Sequence, residues 1–404
     1  MNSIETTIAV VTILSAVLIV YHHVVFPWIL NRIAGRRSSG HQAVPSRGYE
    51  RHKNDGTLPS VTVLIPAHNE AEVIADKVRN LAMLDYPADR LWVVIACDGC
   101  TDGTADAARQ AHGEIEVAHL NLDVVEFPAN RGKVAVLNDV LPRVPSDLVA
   151  LSDASALLSV DALLVAAGHF SDPNVGVVAG TYHIPDHGSE GEAAYWRYQR
   201  AVKRGEAALG APLGVHGAFY MVRKNLTRPL APDSINDDFI LPMTIVADGF
   251  RAVSDPEIIA LELEKATLAQ DFRRRRRIAA GNMQQLVRLR RLLHPRYRGI
   301  AFAFASGKAL RAVMPFLMLS CLAGSAALGP LSPAFAALYA AQALAYGLAG
   351  WCQAMAPRRV PRGIQKIHYL VSGHLAGLIG GTRYILGLER GGWRRAFPNM
   401  ENQS

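Results

Sequence analysis

The sequence predicts an α/β domain built on a Rossmann-like sheet, set between an N-terminal transmembrane helix and C-terminal transmembrane or interfacial helices. Three observations predict it. From Val61 to Thr104 the chain runs buried strand, polar turn, helix, buried strand, polar turn, which is a βαβ unit. The stretch from Ile8 to Leu30 holds no Lys, Arg, Asp or Glu, and a bilayer span takes roughly 20 residues. Half of the 404 residues are hydrophobic, and further apolar stretches lie at 312–329, 333–355 and 367–388.

In the βαβ unit the apolar run Val61–Ile65 breaks at Pro66-Ala67-His68-Asn69-Glu70, and a helix is expected over 71–84. A second apolar run, Leu91–Ala96, ends in Asp98-Gly99-Cys100-Thr101-Asp102-Gly103-Thr104. Ligands of open α/β sheets bind at the carboxyl ends of the strands, so both turns mark the expected site edge. The composition shifts give an anchor over 1–34, a polar Gly/Ser/Pro-containing tether over 35–58, and an α/β domain over 59–272. A basic amphipathic segment over 273–308, membrane helices over 309–388 and a tail over 389–404 complete the division.

The first apolar segment is longer than a signal-peptide core, has no preceding Lys or Arg, and lacks a small-x-small site after it, so it reads as an anchor. His22 and His23 in mid-segment are costly in lipid and should face other helices. Arg32, Arg36 and Arg37 follow directly, which by the positive-inside rule places the α/β domain in the cytoplasm of a multi-pass protein of the cell inner (plasma) membrane. The basic loop Arg358, Arg359, Arg362 and Lys366 should also be cytoplasmic, which favours a re-entrant or interfacial last segment.

The net charge is +7. Its sharpest cluster, Arg273–Arg277 with Arg288, Arg290, Arg291, Arg296 and Arg298, adjoins the apolar stretches. That position favours lipid headgroups or a phosphate over nucleic acid. Of the four cysteines, Cys321 and Cys352 lie in apolar spans and read as packing residues. Cys97 and Cys100 match C-x-x-C, but no second Cys or His pair stands at finger spacing, and a strand-end turn is favoured over a metal or redox motif.

A third strand, Val124–Phe127, leads into Pro128-Ala129-Asn130-Arg131-Gly132-Lys133 and a helix. Gly132 permits close approach of a ligand, and Lys133 brings a cation to a helix start, which suits an anion. No Walker pattern is present. The strand Leu148–Leu151 runs into Ser152-Asp153-Ala154-Ser155. Asp153 there either holds a divalent cation through oxygen or caps the next helix.

These segments, taken in order, resemble family 2 glycosyltransferases, the GT-A fold enzymes that include cellulose, chitin, hyaluronan and poly-N-acetylglucosamine synthases. The resemblance covers about 59–286. It implies a nucleotide-sugar donor, usually a UDP-sugar, a divalent cation such as Mg²⁺ or Mn²⁺, and inversion at the anomeric carbon. By position, Pro66, Asn69 and Glu70 would line the uridine pocket, Asp98 would meet base or ribose, and Lys133 would lie near the nucleotide. Asp153 would be the first acid of the D-x-D motif and the metal ligand, with Ser155 standing where the second acid belongs. Asn236-Asp237-Asp238-Phe239 is similar to the Thr-Glu-Asp segment and makes Asp238 the catalytic base, an inverting transfer needing a base for the acceptor hydroxyl; Asp237 would cap the helix.

The region 192–223 leads to the acceptor site in the family. Trp196 either stacks on a sugar or packs a helix, and His216, beside Gly217, is a structural group or a catalyst. Aligned on Gly281-Asn282, the Gln-x-x-Arg-Trp region keeps its Arg as Arg277, which would meet the leaving diphosphate, but has Arg274 at the Gln and Ile278 at the Trp. The lost Trp favours one or few transfers over long polymerisation. The expected function is transfer from a UDP-sugar to a glycan or lipid acceptor at the membrane, in exopolysaccharide or envelope glycan synthesis, with polysaccharide-export proteins as candidate partners. The alternatives are a glycolipid synthase acting on ceramide or polyprenyl phosphate, and an inactive scaffold that binds nucleotide-sugar.

Overall fold

The structure is a computed structural model, and it describes residues 2–36, 47–183, 190–262, 268–354 and 360–389. The chain forms two compact units. One comprises Ser38–Asp186, Gly210–Lys265 and Arg390–Ser404; the other comprises Met1–Arg37, His187–Leu209 and Ala266–Glu389. The helix Glu190–Ala208, which the contiguous reading 59–272 counts with the sheet, therefore belongs with the apolar helices. Residues 37–46 of the tether, the basic residues Arg358 and Arg359, and all of the tail beyond Glu389 lie outside the described residues.

The first unit is a mixed eight-stranded sheet. Its strands are β1 (Val61–Ala67), β2 (Leu91–Asp98), β3 (Leu122–Phe127), β4 (Leu148–Leu151), β5 (Ala156–Leu158), β6 (Val175–His183), β7 (Tyr220–Arg223) and β8 (Arg251–Glu262). The order is β3-β2-β1-β4-β7-β6-β8-β5. β3, β2, β1 and β4 run parallel, and β7 pairs antiparallel with β4, Leu151 opposite Tyr220. β1 and β4 are buried at every position, as strands covered on both faces must be, which is why they read as unbroken apolar runs. The order turns at β1 and β4, so the polar turns after β1, β2, β3 and β4 converge on one edge at the switch point. The antiparallel entry of β7 brings the segment before it, Gly214–Phe219, to that same edge.

The second unit is helical. Two stretches, Ser3–Gly35 and Gly299–Leu331, are long and apolar enough to cross a membrane. Each contains a π-helical turn, Tyr21–Val25 and Phe304–Ala309. The two turns meet: His22 Nδ1 lies 2.9 Å from the Ser306 carbonyl and the Tyr21 hydroxyl 2.7 Å from Ser306 Oγ. A π turn frees backbone carbonyls, and His22 takes one of them. His23 pairs with His374 across 3.1 Å. Both imidazoles of the first segment thus face other helices, where their polar nitrogens find partners.

Phe26, Leu30 and Val202 form a buried core between the helices Phe26–Arg36 and Glu190–Ala208. The fully buried Glu206 lies between Lys203 and Lys308 at 3.7 and 3.4 Å. The helix Arg362–Ile385 lies along Leu268–Arg288. Gly380 lets the two backbones touch, since a Cβ there would run into the Arg276 carbonyl.

Candidate functional site

The site is assembled on the carboxyl edge of the sheet, from two groups of residues. The first locks the turns after β1 and β2. Asn69 adopts a left-handed conformation, φ 57°, and its Oδ1 accepts the Thr101 amide at 2.8 Å. The Glu70 amide donates to Thr104 Oγ1 at 2.9 Å, and the Ala71 amide donates to Asp102 at 3.1 Å. Partial burial works to raise the Asp102 pKa, but hydrogen bonds from Thr104 and Ala71 outweigh it and hold the carboxyl below its ordinary value. His68 bridges the two turns and the next one. Its Nδ1 lies 2.7 Å from the Asp98 carbonyl and its Nε2 3.0 Å from Asn130 Nδ2. A carbonyl only accepts, so Nδ1 carries the proton and Nε2 accepts from the amide.

Asp98 is fully buried. Its carboxylate accepts the backbone amides of Arg131, at 3.0 and 3.1 Å, and Gly132, at 2.7 Å. Asp98 therefore builds the Asn130–Lys133 turn rather than facing outward to a base or ribose, because amides of the turn fill both of its oxygens. Gly99 makes this possible: it sits at φ 61°, and a Cβ would run into the Asn130 backbone. Pro66 is a buried strand residue within β1; Asn69 and Glu70 are half-buried at its end. Cys100 Sγ donates to the Ala67 carbonyl and accepts the Asn69 amide, both at 3.5 Å, so it serves the strand-end turn.

The second group centres on Lys133, the first residue of the helix Lys133–Val140. Its Nζ lies 2.9 Å from Asp153 Oδ1 and 3.6 Å from Asp237 Oδ2, with Asp238 also within electrostatic reach. Burial acts against the ammonium, but Asp153, Asp237 and Asp238 together outweigh it and hold its pKa above that of an ordinary lysine. The same opposition acts on Asp153: burial pushes its carboxyl up, while the Lys133 ammonium beside it holds it below the usual range. Asp153 does not cap a helix, since β5 follows it. Asp237 does not cap one either: the cap position is Asn236, and Asp237 opens the helix Asp237–Ala247 facing Lys133. Asp238 is half-buried in the first turn of that helix, where carboxylates are favourable.

The segment before β7 closes the site. Gly217 lies against Asp153, where an added Cβ would stand 2.8 Å from Oδ2, and its carbonyl accepts the Asp153 amide at 3.1 Å. His216 stacks on Tyr182 with centroids 3.7 Å apart, and its Nδ1 accepts the Ala218 amide at 3.2 Å. Those contacts hold the ring beside Asp153. Two buried polar atoms here, Tyr220 Oη and Asp237 Oδ2, have no hydrogen-bond partner among the described residues. Asp153 Oδ2 likewise accepts no hydrogen bond there. A partly exposed carboxylate with a spare oxygen suits a hard divalent cation that draws its remaining ligands from phosphate and water. No cluster of three or more His, Cys, Asp or Glu forms a ready-made cage among the described residues.

The structure thus brings Lys133, Asp153, Asp238, His216 and Gly217 together, with Asn69, Glu70 and Asp98 on the same edge. Arg277 is exposed on Leu268–Arg288 of the helical unit. Trp196 also belongs to that unit, and its side chain lies outside the described residues. Sequence reasoning missed His68, Lys77, Tyr220 and the pairing of Asp237 with Lys133. His68 alone left a signal, since it stands inside a recognised turn.

The model of the glycosyltransferase-like family 2 matches residues 59–281. Poly-β-1,6-N-acetyl-D-glucosamine synthase of Staphylococcus aureus is 26% identical over 243 residues, 58% of this chain and 57% of that protein. The enzyme of the same name from Staphylococcus epidermidis is 23% identical over 239 residues, 57% of this chain and 56% of its own length. The match thus spans a little over half the length of these relatives. Among solved structures, the mannosyltransferase PcManGT from Pyrobaculum calidifontis, in complex with GDP-Man and Mn²⁺, superposes with a TM-score of 0.67 at 25% identity, covering 91% of this chain and 99% of that one. With a GT-A fold and a family match over more than half its length, the chain belongs to the glycosyltransferase-like family 2 and is a glycosyltransferase.

Proposed function

We propose that this chain is an inverting glycosyltransferase of the cell inner membrane. It takes a UDP-sugar at the cytoplasmic face and transfers the sugar to a glycan or lipid acceptor in envelope or exopolysaccharide synthesis. The observation that carries the reading is the Lys133 ammonium ringed by Asp153, Asp237 and Asp238 at the switch-point edge. The arrangement divides the labour of a displacement at a sugar carbon. Asp238 accepts the acceptor hydroxyl proton as that oxygen attacks the anomeric carbon. Lys133 meets the charge that grows on the leaving diphosphate.

Asp153, with Ser155, would hold Mg²⁺ or Mn²⁺ against the diphosphate, where the cation neutralises charge as the bond to the sugar breaks. Asn69 and Glu70 shape the nucleoside pocket, whose walls are set by the Asp98-bound turn. The two apolar helical stretches support a membrane location, and the arginines after the first support a cytoplasmic sheet unit. Ile278 at the place of an acceptor-stacking Trp favours one or few transfers. Polysaccharide-export proteins are the partners this role would call on. The domain division 59–272 is retained as the proposed catalytic region, with Glu190–Ala208 counted among the apolar helices.

The test is transfer of radiolabel by detergent-solubilised protein and by membranes, with UDP-glucose, UDP-N-acetylglucosamine, UDP-galactose, UDP-glucuronate and GDP-mannose in turn. Label in an organic-extractable product identifies a lipid acceptor, and label in a large water-soluble product identifies a polymerase. Transfer from GDP-mannose alone would overturn the UDP donor, and transfer from none would overturn the reading. A narrower check is Gly217→Ala. Its Cβ would press on Asp153 Oδ2, and since a misplacement near 1 Å costs about 10²-fold, kcat/KM is expected to fall by about tenfold or more with an unchanged thermal transition.

A further inference from the structure

We propose that Lys77 is a positioning residue, whose buried amino group grips the Ser152–Ala156 turn from behind and so aims the Asp153 carboxylate at the cation and diphosphate; this rests on the functional reading above. Lys77 lies on the helix Ile74–Ala82 and is completely buried. Its Nζ donates to Ser152 Oγ at 2.7 Å and to the Ala156 carbonyl. Ser152 Oγ in turn donates to the Ala218 carbonyl at 2.6 Å. The ammonium therefore grips both ends of the turn that carries Asp153 and Ser155, and ties it to the strand entering behind Gly217.

Its hydrogen-bond partners are both neutral oxygens, and the negative groups that act on it, Asp153 and Glu262, do so from a distance. Burial consequently draws the lysine down to about 7, against the pull of those two acids. A buried charge without a contacting counter-ion is costly, and an apolar side chain of similar volume usually serves a fold as well or better. The charge is thus poorly explained by stability. It is well explained by the turn, which carries one acid and a serine where the family pattern has two acids. A single carboxylate must then be aimed from outside the motif, and Lys77 supplies the anchor.

Lys77→Met removes the charge and the grip at nearly constant volume; Lys77→Gln keeps donors without charge. Mn²⁺ binding to each protein would be measured by electron paramagnetic resonance with UDP, and again with GDP, alongside Asp153→Asn and thermal unfolding. Losing a residue that orients a metal ligand costs about 10–100-fold in affinity, so both Lys77 variants are expected to weaken nucleotide-dependent Mn²⁺ binding at least about tenfold. Their melting temperature should equal or exceed the wild type's. If Asp153→Asn abolishes binding while either Lys77 variant binds as the wild type does, the Lys77 inference falls and the site stands. If Asp153→Asn itself leaves binding unchanged, the site reading has failed. Weakened binding that merely tracks a lowered melting temperature in both Lys77 variants would also overturn the inference.

Discussion

Asp238→Asn should lower the rate of sugar transfer by about 10²–10⁴-fold, the usual contribution of a positioned base, while nucleotide and Mn²⁺ still bind. The substitution preserves volume and the helix start, and removes only the capacity to take a proton. Asp238 occupies the first turn of the helix Asp237–Ala247, and its carbonyl accepts the Val215 amide at 3.3 Å, which ties the base to the segment ending at Gly217. Its neighbour Asp237 is the informative control. Asp237 is buried, and its Oδ2, 3.6 Å from Lys133 Nζ, accepts no hydrogen bond among the described residues. Asp237→Asn should therefore act on donor binding, through Lys133, and much less on the chemical step. Single-turnover rates at saturating donor, together with calorimetric donor affinity, separate the two. If Asp237→Asn stops turnover and Asp238→Asn does not, the roles are reversed.

β1, β2 and β4 were legible because central strands covered on both faces read as apolar runs with polar ends, and the edge strand β3 was legible from its Val124-Val125 pair before the Pro128 turn. β1, β2, β3 and β4 were therefore found to within a few residues, and their turns marked the site edge. β5, β6 and β7 were not found, for two reasons. β5 and β7 are only three and four residues long. In β6, Gly176 and Gly180 interrupt the β-branched run, and both are required there, since a Cβ would collide with Ile245 and Ile258 respectively. The helix Glu190–Ala208 is too polar to announce a partnership with apolar helices; only the packing of Val202 on Phe26 and Leu30 reveals it.

Within the site the motifs gave positions but not pairings. An acid at the end of β2 is visible in the sequence, yet nothing local shows that the amides of Arg131 and Gly132 will occupy it. Lys77 is the extreme case. On a helix beside Asp76 and Arg79 it reads as a solvated lysine, and only the turn after β4, brought over it by the parallel crossover, makes it internal.

Lys133→Met is expected to reduce kcat/KM by about 10²-fold or more, the scale of losing one charge-stabilising donor, and to change how the protein responds to pH. In the wild type Lys133 holds Asp153 below the usual carboxylate range although burial opposes it. A carboxyl with a depressed folded pKa contributes stability that is fully present above its unfolded value and is lost as pH falls through the folded one. Lys133, with its raised pKa, contributes stability that is fully present below the unfolded lysine value and is lost only as pH rises through the folded one, beyond the neutral range. Removing the ammonium leaves Asp153, Asp237 and Asp238 facing one another without their shared cation. Repulsion and burial then both act to raise the Asp153 carboxyl, so the variant is destabilised most where that group is ionised.

The melting-temperature deficit of Lys133→Met should consequently be large at about pH 8 and shrink toward about pH 4, as Asp153 takes up a proton. The acid limb of its pH–rate profile should move to higher pH for the same reason. Added Mn²⁺ with nucleotide should recover part of the stability at neutral pH, because it supplies positive charge to the same oxygens. A deficit equal at both pH values would mean that Lys133 acts through packing alone, and the electrostatic account of this edge would have to be abandoned.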